Sequence, residues 1–257
     1  LIIGSGLVGS ITAYALSLLG LTIILVDKKK LSQKYSTISN YNQKDTRTTA
    51  IAEGSKEFLK EIKLWKFLSK FSQPIKQIKV IDRKLTNNID FSNQKLKKNL
   101  GYIIKNNDFL STLIHRIKQT KNISLIDQAD LKSISYGAEK VICKFDKFVI
   151  YADLLVAADG KNSFVRNLKN TQLYKKSYKE NAFVVNFEHS TNHNSCAYEF
   201  FYRNGPLAVL PMKKEKKFQS CLIWSNNKNF LENLLISEDK FICNLLEEKI
   251  SNYFGSI

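Results

Sequence analysis

The sequence predicts an α/β protein with a Rossmann-like nucleotide-binding domain, in which a mainly parallel sheet is the middle of three layers, and a second domain built on a mostly antiparallel sheet. Three observations support this fold class. The chain begins with a strand, a glycine-rich turn and a helix. A second apolar segment, residues 154–158, ends on an Asp-Gly pair, and several strand-like segments follow one another after residue 180.

The glycine-rich turn has the sequence GSGLVG, residues Gly4–Gly9, and the pattern G-x-G-x-x-G. It follows three apolar residues and opens a stretch of small and apolar residues that suits a helix ending at Gly20. A second strand, residues 21–26, then ends on Asp27, about 20 residues beyond the turn, where dinucleotide-binding folds place a carboxylate that binds a ribose hydroxyl. The combination predicts a dinucleotide site.

Each glycine of the motif has a separate expected role. Gly4 allows the tight turn, Gly6 lets the backbone approach a pyrophosphate, and Gly9 lets the helix pack closely on the strand. The phosphates would face the helix N-terminus and its partial positive charge. The other residues of the turn are Ser5, Leu7 and Val8. The motif alone does not separate NAD from FAD.

Composition restricts the class of protein. With 257 residues the chain is long enough for one large or two ordinary domains, and 44% hydrophobic and 11% aromatic residues exclude a mainly disordered chain. No apolar run approaches the roughly 20 residues of a membrane span. The four cysteines form no C-x-x-C pair, which argues against a metal site or a disulfide framework.

The net charge of +17 first suggests a nucleic-acid partner. However, the excess is mainly lysine, spread along the whole chain together with abundant Asn and Ile, and no aromatic platform is placed to read bases. We therefore expect no nucleic-acid partner. The remaining functional interpretation of the positive charge is attraction of clustered lysines to an anionic membrane surface.

The segment after Asp27 is predicted as a polar loop to Lys44, followed by a helical stretch that opens at Asp45 and runs to Leu68. Residues 75–81 suggest a strand and residues 84–99 a connection or hairpin. Residues 101–104 lead into a helix with one apolar face, formed by Phe109, Leu110, Leu113, Ile114 and Ile117. Further strands are expected at 123–126, 131–136, 141–145 and 148–151.

The segment Asp153–Arg166 carries a second motif. It is expected to be a buried strand that delivers Asp159 and Gly160 at its carboxyl end, where ligands of open α/β sheets bind. An Asp-Gly turn followed by a helix capped by Asn162 or Ser163 explains the same residues equally well.

Taken together, five ordered segments resemble the flavin-dependent aromatic hydroxylases, and within them the ubiquinone-biosynthesis branch, of the 2-polyprenyl-6-methoxyphenol hydroxylase type. The segments are the turn with Asp27, residues 45–50, residues 101–106, residues 153–166 and residues 205–211. The resemblance covers most of the chain. It implies the fold of the para-hydroxybenzoate hydroxylases.

The resemblance also implies residue roles. The turn and Asp27 would bind the pyrophosphate and adenosine ribose of FAD, and Arg47 would lie near the flavin or its phosphates. Asp159 and Gly160 match a motif associated with both FAD and the nicotinamide cofactor. Leu210 and Pro211 would line the substrate pocket. An equal interpretation is that Leu210 belongs to a strand core and that Pro211 ends the strand. For Arg47, the alternative is a surface arginine at the start of a helix.

The activity implied is an FAD-dependent monooxygenase that hydroxylates the ring of a polyprenylated phenol in ubiquinone biosynthesis, using NAD(P)H and O₂ through a C4a-hydroperoxyflavin. The implied partners are that phenol, a membrane surface and other ubiquinone-biosynthesis enzymes, with the protein cytoplasmic and peripheral to the inner membrane. No side chain has a spacing that identifies a general base. His115, His189 and His193 are assigned no catalytic role.

The predicted FAD-binding domain comprises residues 1–73 and 99–170, and the predicted substrate domain comprises residues 74–98 and 171–257. A G-D-A-A-H type motif, whose aspartate contacts FAD in the resembled family, has no match in the chain. We therefore expect a fragment of a longer enzyme. An isoprenoid-reducing flavoprotein and an inactive truncated fragment are the alternative interpretations.

Overall fold

The structure is a computed structural model that describes residues 1–31, 45, 47–82, 88–92, 98–178, 180–214 and 216–257. The chain divides into two compact units. Unit 1 comprises Leu1–Lys44, Ile62–Phe67 and Asn107–Lys175, and unit 2 comprises Asp45–Glu61, Leu68–Asn106 and Lys176–Ile257. Unit 2 includes residues 45–61, 68–73 and 99–106, which the sequence analysis placed in the FAD-binding domain. The predicted domain boundaries stay a prediction.

The described strands are β1 (Ile2–Ile3), β2 (Ile23–Val26), β3 (Thr48–Ala52), β4 (Gln73–Ile75), β5 (Gln77–Asp82), β6 (Ile89–Ser92), β7 (Gly101–Lys105), β8 (Ile123–Ile126), β9 (Leu131–Tyr136), β10 (Val141–Phe145), β11 (Val149–Ala152), β12 (Val156–Ala157), β13 (Glu180–His189), β14 (Cys196–Tyr202), β15 (Gly205–Met212) and β16 (Phe218–Asn227). The described α-helices are α1 (Leu7–Ser17), α2 (Glu53–Glu61), α3 (Trp65–Leu68), α4 (Asn106–Lys118), α5 (Phe164–Leu168), α6 (Lys228–Leu235) and α7 (Asp239–Phe254).

Unit 1 contains a parallel four-stranded sheet with the order β12-β1-β2-β8. Its register places Ile2 between Val156 and Leu25. Helix α1 packs on this sheet through its small and aromatic residues, with Ala13 and Tyr14 buried. The predicted strand, turn, helix and second strand are thus confirmed, and the carboxyl ends of β1, β2 and β12 lie at one edge of the sheet.

A second sheet of unit 1 is an antiparallel meander with the order β11-β10-β9. Its inner side chains, Cys143, Phe145 and Ile150, join Val26 of β2 and Val165 of α5 in one buried cluster. The apolar face predicted for α4 is also observed, since Phe109, Leu113, Ile114 and Ile117 are buried.

Unit 2 is built on a six-stranded sheet with the order β13-β16-β15-β14-β5-β6. All of its pairs are antiparallel except β14 with β5. Helices α6 and α7 cover one face, where Phe200, Trp224, Leu231 and Phe254 are buried in an aromatic core. The predicted mostly antiparallel second sheet is confirmed.

A smaller antiparallel sheet, β3-β7-β4, also belongs to unit 2. Its Ile75 and Ile103 pack against Ala197, Met212 and Cys221 of the large sheet. These three side chains lie on the face that the helices do not cover, because their strand neighbours Phe200 and Leu222 belong to the core under the helices.

Two local predictions were wrong. Residues 48–52 form strand β3 instead of opening a helix, because Thr48, Thr49 and Ile51 are β-branched and pair antiparallel with β7; the helix begins only at Glu53. The apolar segment 154–158 contributes only the two-residue strand β12 at a sheet edge, with Leu154 65% exposed. Its partner β1 is equally short, and the segment bonds to it at the backbones of Leu154, Val156 and Ala158. The predicted loop to Lys44 lies outside the described residues from position 32 onward.

Candidate functional site

The turn between β1 and α1 is closed against the end of β12. Gly4 has φ +102°, and a Cβ added to it would lie 2.7 Å from the carbonyl carbon of Ala158. Its amide donates to the carbonyl of Val26 at 2.7 Å, so the turn is tied to both neighbouring strands. Gly4 is therefore required both by its backbone conformation and by the close approach of the Ala158 backbone.

Gly9 lies where helix and strand pack closely, whereas Gly6 lies on the open side of the turn. A Cβ on Gly9 would overlap the carbonyl oxygen of Gly4 and lie 3.0 Å from its carbon, so helix α1 can approach the strand only with glycine there. A Cβ on Gly6 would meet nothing within 4 Å. The side of the turn at Gly6 is thus open, as a backbone that receives a ligand requires.

Leu7 and Val8 form the first turn of α1, after Gly6 as the N-cap residue. No acidic side chain lies in this first turn, and Val8 is 70% exposed. The amides of a first helical turn have no partner within the helix, and they carry the positive end of its dipole. This end of α1 can accept an anion.

Asp27 lies at the carboxyl end of β2 and its carboxylate is bound to the turn. Oδ2 accepts hydrogen bonds from the Ser5 amide at 2.8 Å and from the Ser5 hydroxyl at 2.7 Å. Oδ1 accepts from the Lys29 amide at 2.9 Å. Ser5 is fully buried and Asp27 is 6% exposed. The carboxylate is therefore fixed in position beside the glycine motif.

Asp159 and Gly160 follow β12 at the same edge of the sheet. Asp159 Oδ2 accepts from the amides of Phe164 at 2.7 Å and Val165 at 3.1 Å, and it thereby caps α5 together with Ser163. Burial alone would raise the pKa of this carboxyl, but the hydrogen bonds from Ser163 and the helix amides hold it below its usual range. The carboxyl is therefore ionised at neutral pH.

One oxygen of this carboxylate remains available. Asp159 Oδ1 is buried, and no residue that the structure describes donates a hydrogen bond to it. Gly160 has φ +90°, and a Cβ there would meet nothing within 4 Å. Of the two sequence interpretations, the structure shows the capped helix, with Ser163 as its N-cap, and it also leaves an acceptor atom and an open glycine at the carboxyl end of the strand.

Arg47 belongs to unit 2, directly before β3. Its guanidinium makes a bidentate pair with the Asp45 carboxylate, with both N–O distances 2.8 Å, and its side chain is 71% exposed. Burial opposes ionisation of Asp45, but the pairing with Arg47 lowers the pKa of that carboxyl. Arg47 is thus held by a surface ion pair, and its role toward a cofactor stays a prediction.

Leu210 and Pro211 lie on β15 of unit 2, in register with Cys221 and Ser220 of β16. Adjacent strand residues point to opposite faces. Leu210 packs with Cys221 on the face without helices, whereas Val209 belongs to the core under the helices. Pro211 is two positions from Val209 and therefore points to the same face as Val209. Only one of the two can line a pocket on a given face.

His189 and His193 make hydrogen bonds within unit 2 and have a structural role. The His189 ring nitrogens lie 2.8 Å from the Thr191 carbonyl and 2.9 Å from the Ser220 hydroxyl, and His193 Nε2 lies 3.0 Å from the Met212 carbonyl. Burial lowers the pKa of both. Both rings are therefore neutral and occupied by contacts inside unit 2.

Comparison with known proteins decides between the nucleotides. Residues 1–242 match the family described as FAD binding domain. The chain belongs to this FAD-binding family. Within it, the chain is 28% identical over 256 residues to the ubiquinone hydroxylase UbiL of Rhodospirillum rubrum, covering 99% of this chain and 58% of the relative. It is 28% identical over 234 residues to the mitochondrial ubiquinone biosynthesis monooxygenase COQ6 of Drosophila melanogaster, covering 86% and 48%. The chain thus spans about half the length of these relatives.

Solved structures agree on the fold. PqsL of Pseudomonas aeruginosa, a probable FAD-dependent monooxygenase, superposes with a TM-score of 0.78 at 13% identity, covering 99% of this chain and 66% of that one. The p-nitrophenol 4-monooxygenase PnpA of Pseudomonas putida gives 0.72 at 15% identity, covering 98% and 62%. The predicted fold class is confirmed, and FAD is the cofactor of the family.

The residues of unit 1 fit the FAD that the family binds. Gly6 leaves one side of the turn open, the N-terminal turn of α1 carries no acid, and Asp159 Oδ1 is a buried acceptor without a donor among the described residues. Sequence reasoning identified these positions but treated Ser5 only as a member of the motif. Its double hydrogen bond to Asp27 has no local signal, because the two residues are 22 positions apart.

Proposed function

We propose that the whole protein is an FAD-dependent monooxygenase that hydroxylates the ring of a polyprenylated phenol in ubiquinone biosynthesis, with NAD(P)H as electron donor and O₂ as the second substrate. The observation that carries this proposal is the match to a ubiquinone hydroxylase over 99% of the chain. The turn geometry supports it, since the turn is open at Gly6 and the Asp27 carboxylate is fixed beside it by Ser5.

Bound FAD supplies the electron transfer and the oxygen chemistry. The residues of this chain bind and orient it. The backbone at Gly6, with Leu7 and Val8, faces the pyrophosphate, and Asp27 accepts from the adenosine ribose. Asp159 and Gly160 contact the dinucleotide at the end of β12.

In unit 2, we propose that Arg47 contacts phosphate or carbonyl oxygens and that Leu210 and Pro211 contribute to the substrate pocket. The opposite directions of the last two side chains favour Leu210 for direct contact from the helix-free face. A guanidinium suits Arg47 for that role because it is always charged and presents several donors in a fixed plane.

No described helix is long and apolar enough to cross a membrane. A polyprenylated phenol resides in lipid, so we propose that the protein works in the cytoplasm, at the surface of the inner membrane, beside other enzymes of ubiquinone biosynthesis. The net charge of +17 supports contact with anionic lipid.

Complementation tests the proposal. The whole gene is expressed in strains that each lack one ring-hydroxylation step of ubiquinone synthesis, and ubiquinone is measured. Restoration in one strain is expected, together with loss of restoration in Asp27→Asn and its retention in the exposed control Asp130→Asn. Failure in every strain contradicts the proposal. An isoprenoid reductase would consume NAD(P)H without forming a hydroxylated product, and an inactive fragment would retain no stoichiometric FAD.

A further inference from the structure

A row of paired residues crosses the helix-free face of the six-stranded sheet. Glu199 of β14 pairs with Ala208 and Val80, and the pairing continues to both edges. Side chains of directly paired residues point to the same face. From β13 to β6 the row is Val184, Ile223, Ala208, Glu199, Val80 and Ile89.

The neighbouring strand residues show which face of the sheet the row lies on. Phe200 is fully buried in the core under the helices, with its ring 5.2 Å from that of Tyr253 on α7. Phe183 belongs to the same core. Since side chains alternate along a strand, Glu199 and Val184 point away from the helices.

The small sheet covers one end of this face, at Ala197, Met212 and Cys221, and Ile223 of the row packs against this cluster. Beyond that end, Val184 is 37% exposed and Phe201 is 49% exposed. The row therefore provides an apolar surface interrupted by one carboxyl group.

Glu199 is half-buried, and no residue that the structure describes gives it a hydrogen bond or an ion pair. Asp82, two positions along β5 from Val80, is another acidic residue on this face, and β15 presents Pro206, Ala208, Leu210 and Met212 there. Burial raises the pKa of the Glu199 carboxyl. A partly desolvated carboxyl without a partner costs stability, so packing of the unit does not explain it.

We propose that Glu199 is a substrate-binding residue whose carboxylate accepts a hydrogen bond from the ring hydroxyl of the phenol, while the apolar side chains of the row contact the ring and its substituents. The inference rests on the proposed function and names a polar contact for its substrate. Binding sites for small molecules combine an apolar lining with a few such groups. A hydrogen bond to a charged acceptor is short and strong, and a site built around it discriminates against ligands without the hydroxyl.

The test compares a short-chain prenylated phenol with its O-methyl ether, which lacks the donor. Both are titrated into the FAD-loaded whole protein, and the dissociation constants are read from the change in flavin absorbance. We expect the wild type to bind the phenol about 10-fold to 100-fold more tightly than the ether. Glu199→Gln keeps a neutral amide acceptor in place of the charged one, so it should reduce this preference by weakening phenol binding, with ether binding unchanged.

Glu188→Gln is the matched control, because Glu188 is a carboxylate of the same sheet that pairs with Lys217 at 3.3 Å. It should keep the preference for the phenol. Glu199→Asp, which keeps the charge but shortens the side chain, should retain part of it. FAD content and Tm are recorded for each variant, so a folding defect would be seen directly. If Glu199→Gln does not fold, Glu199→Asp is compared with the wild type instead.

The pH dependence gives a second readout. Protonation of Glu199 removes the charged acceptor, so the wild-type preference for the phenol should fall as the pH is lowered, and Glu199→Gln should show no such fall. If Glu199→Gln keeps the preference while the wild type hydroxylates a prenylated phenol, the assignment of Glu199 is wrong and the proposed function stands. If the wild type binds both ligands equally, the assignment is wrong. If it distinguishes them but restores no hydroxylation step, the proposed function alone fails.

Discussion

Ser5 and Asp27 are 22 positions apart, and both donors of Ser5 bind one oxygen of the Asp27 carboxylate. The amide and the hydroxyl lie 2.8 and 2.7 Å from Oδ2, in a buried environment. The pair joins the second residue of the glycine motif to the end of the next strand. It fixes the acid that we propose for the ribose before any nucleotide binds, which reduces the ordering cost of binding.

Asp27→Asn is expected to weaken FAD binding about 10-fold to 100-fold, because hydrogen bonds to a charged acceptor contribute about 1.5 to 3 kcal/mol. Binding is measured by quenching of flavin fluorescence. FMN lacks the adenosine and should bind the variant and the wild type equally. Asp130→Asn, which removes an exposed acid of the same unit, serves as control. Equal loss for FAD and FMN would show a general folding defect instead of a lost ribose contact.

Gly9→Ala is expected to destabilise unit 1 severely, since its Cβ would overlap the Gly4 carbonyl and the backbone would have to move. Urea unfolding followed by circular dichroism measures the effect. Gly54→Ala, in the first turn of α2, adds a Cβ that meets nothing within 4 Å, so this control should not lower the stability. Wild-type stability in Gly9→Ala would contradict the observed packing of α1 on the strand.

Phe254→Ala should lower the free energy of unfolding by about 3 to 5 kcal/mol, because this fully buried ring of α7 packs against Phe187 and Tyr198. Phe241→Ala lies on the same helix with 56% of the residue exposed and should change stability by less than about 0.5 kcal/mol. Urea midpoints of the two variants make the comparison. Similar losses in both would refute the assignment of the buried face of α7.

Asp159 links stability to pH. Its pKa in the folded protein lies below the usual aspartate value, so its contribution is present above about pH 4 and is lost as the pH falls through the folded pKa. Asp159→Asn should remove that contribution. The difference in unfolding free energy between wild type and variant should therefore shrink on acidification. A difference independent of pH between 7 and 3 would contradict an ionised, hydrogen-bonded Asp159.

Much of unit 1 could be predicted because its signals are local. The glycine spacing, the helix after it and the acid at Asp27 follow from short-range rules, and the apolar spacing from Phe109 to Ile117 predicted the buried face of α4. The same local reading failed at Thr48–Ala52. There the pairing of β3 with β7 supplies the backbone hydrogen bonds, and a partner about 50 residues away cannot be read from a helical period.

By itself the sequence determined the fold class, the glycine turn and the order of the motifs, because dihedral preferences and side-chain periodicity act between near neighbours. The tertiary structure alone decided which distant groups meet. It brought Ser5 to Asp27 and Ala158 to Gly4, it turned Leu210 and Pro211 to opposite faces, and it placed Glu199 as the single carboxyl in an apolar row of the described sheet. These relationships depend on strand order and register, which are set by long-range pairing and by burial of one face of each sheet.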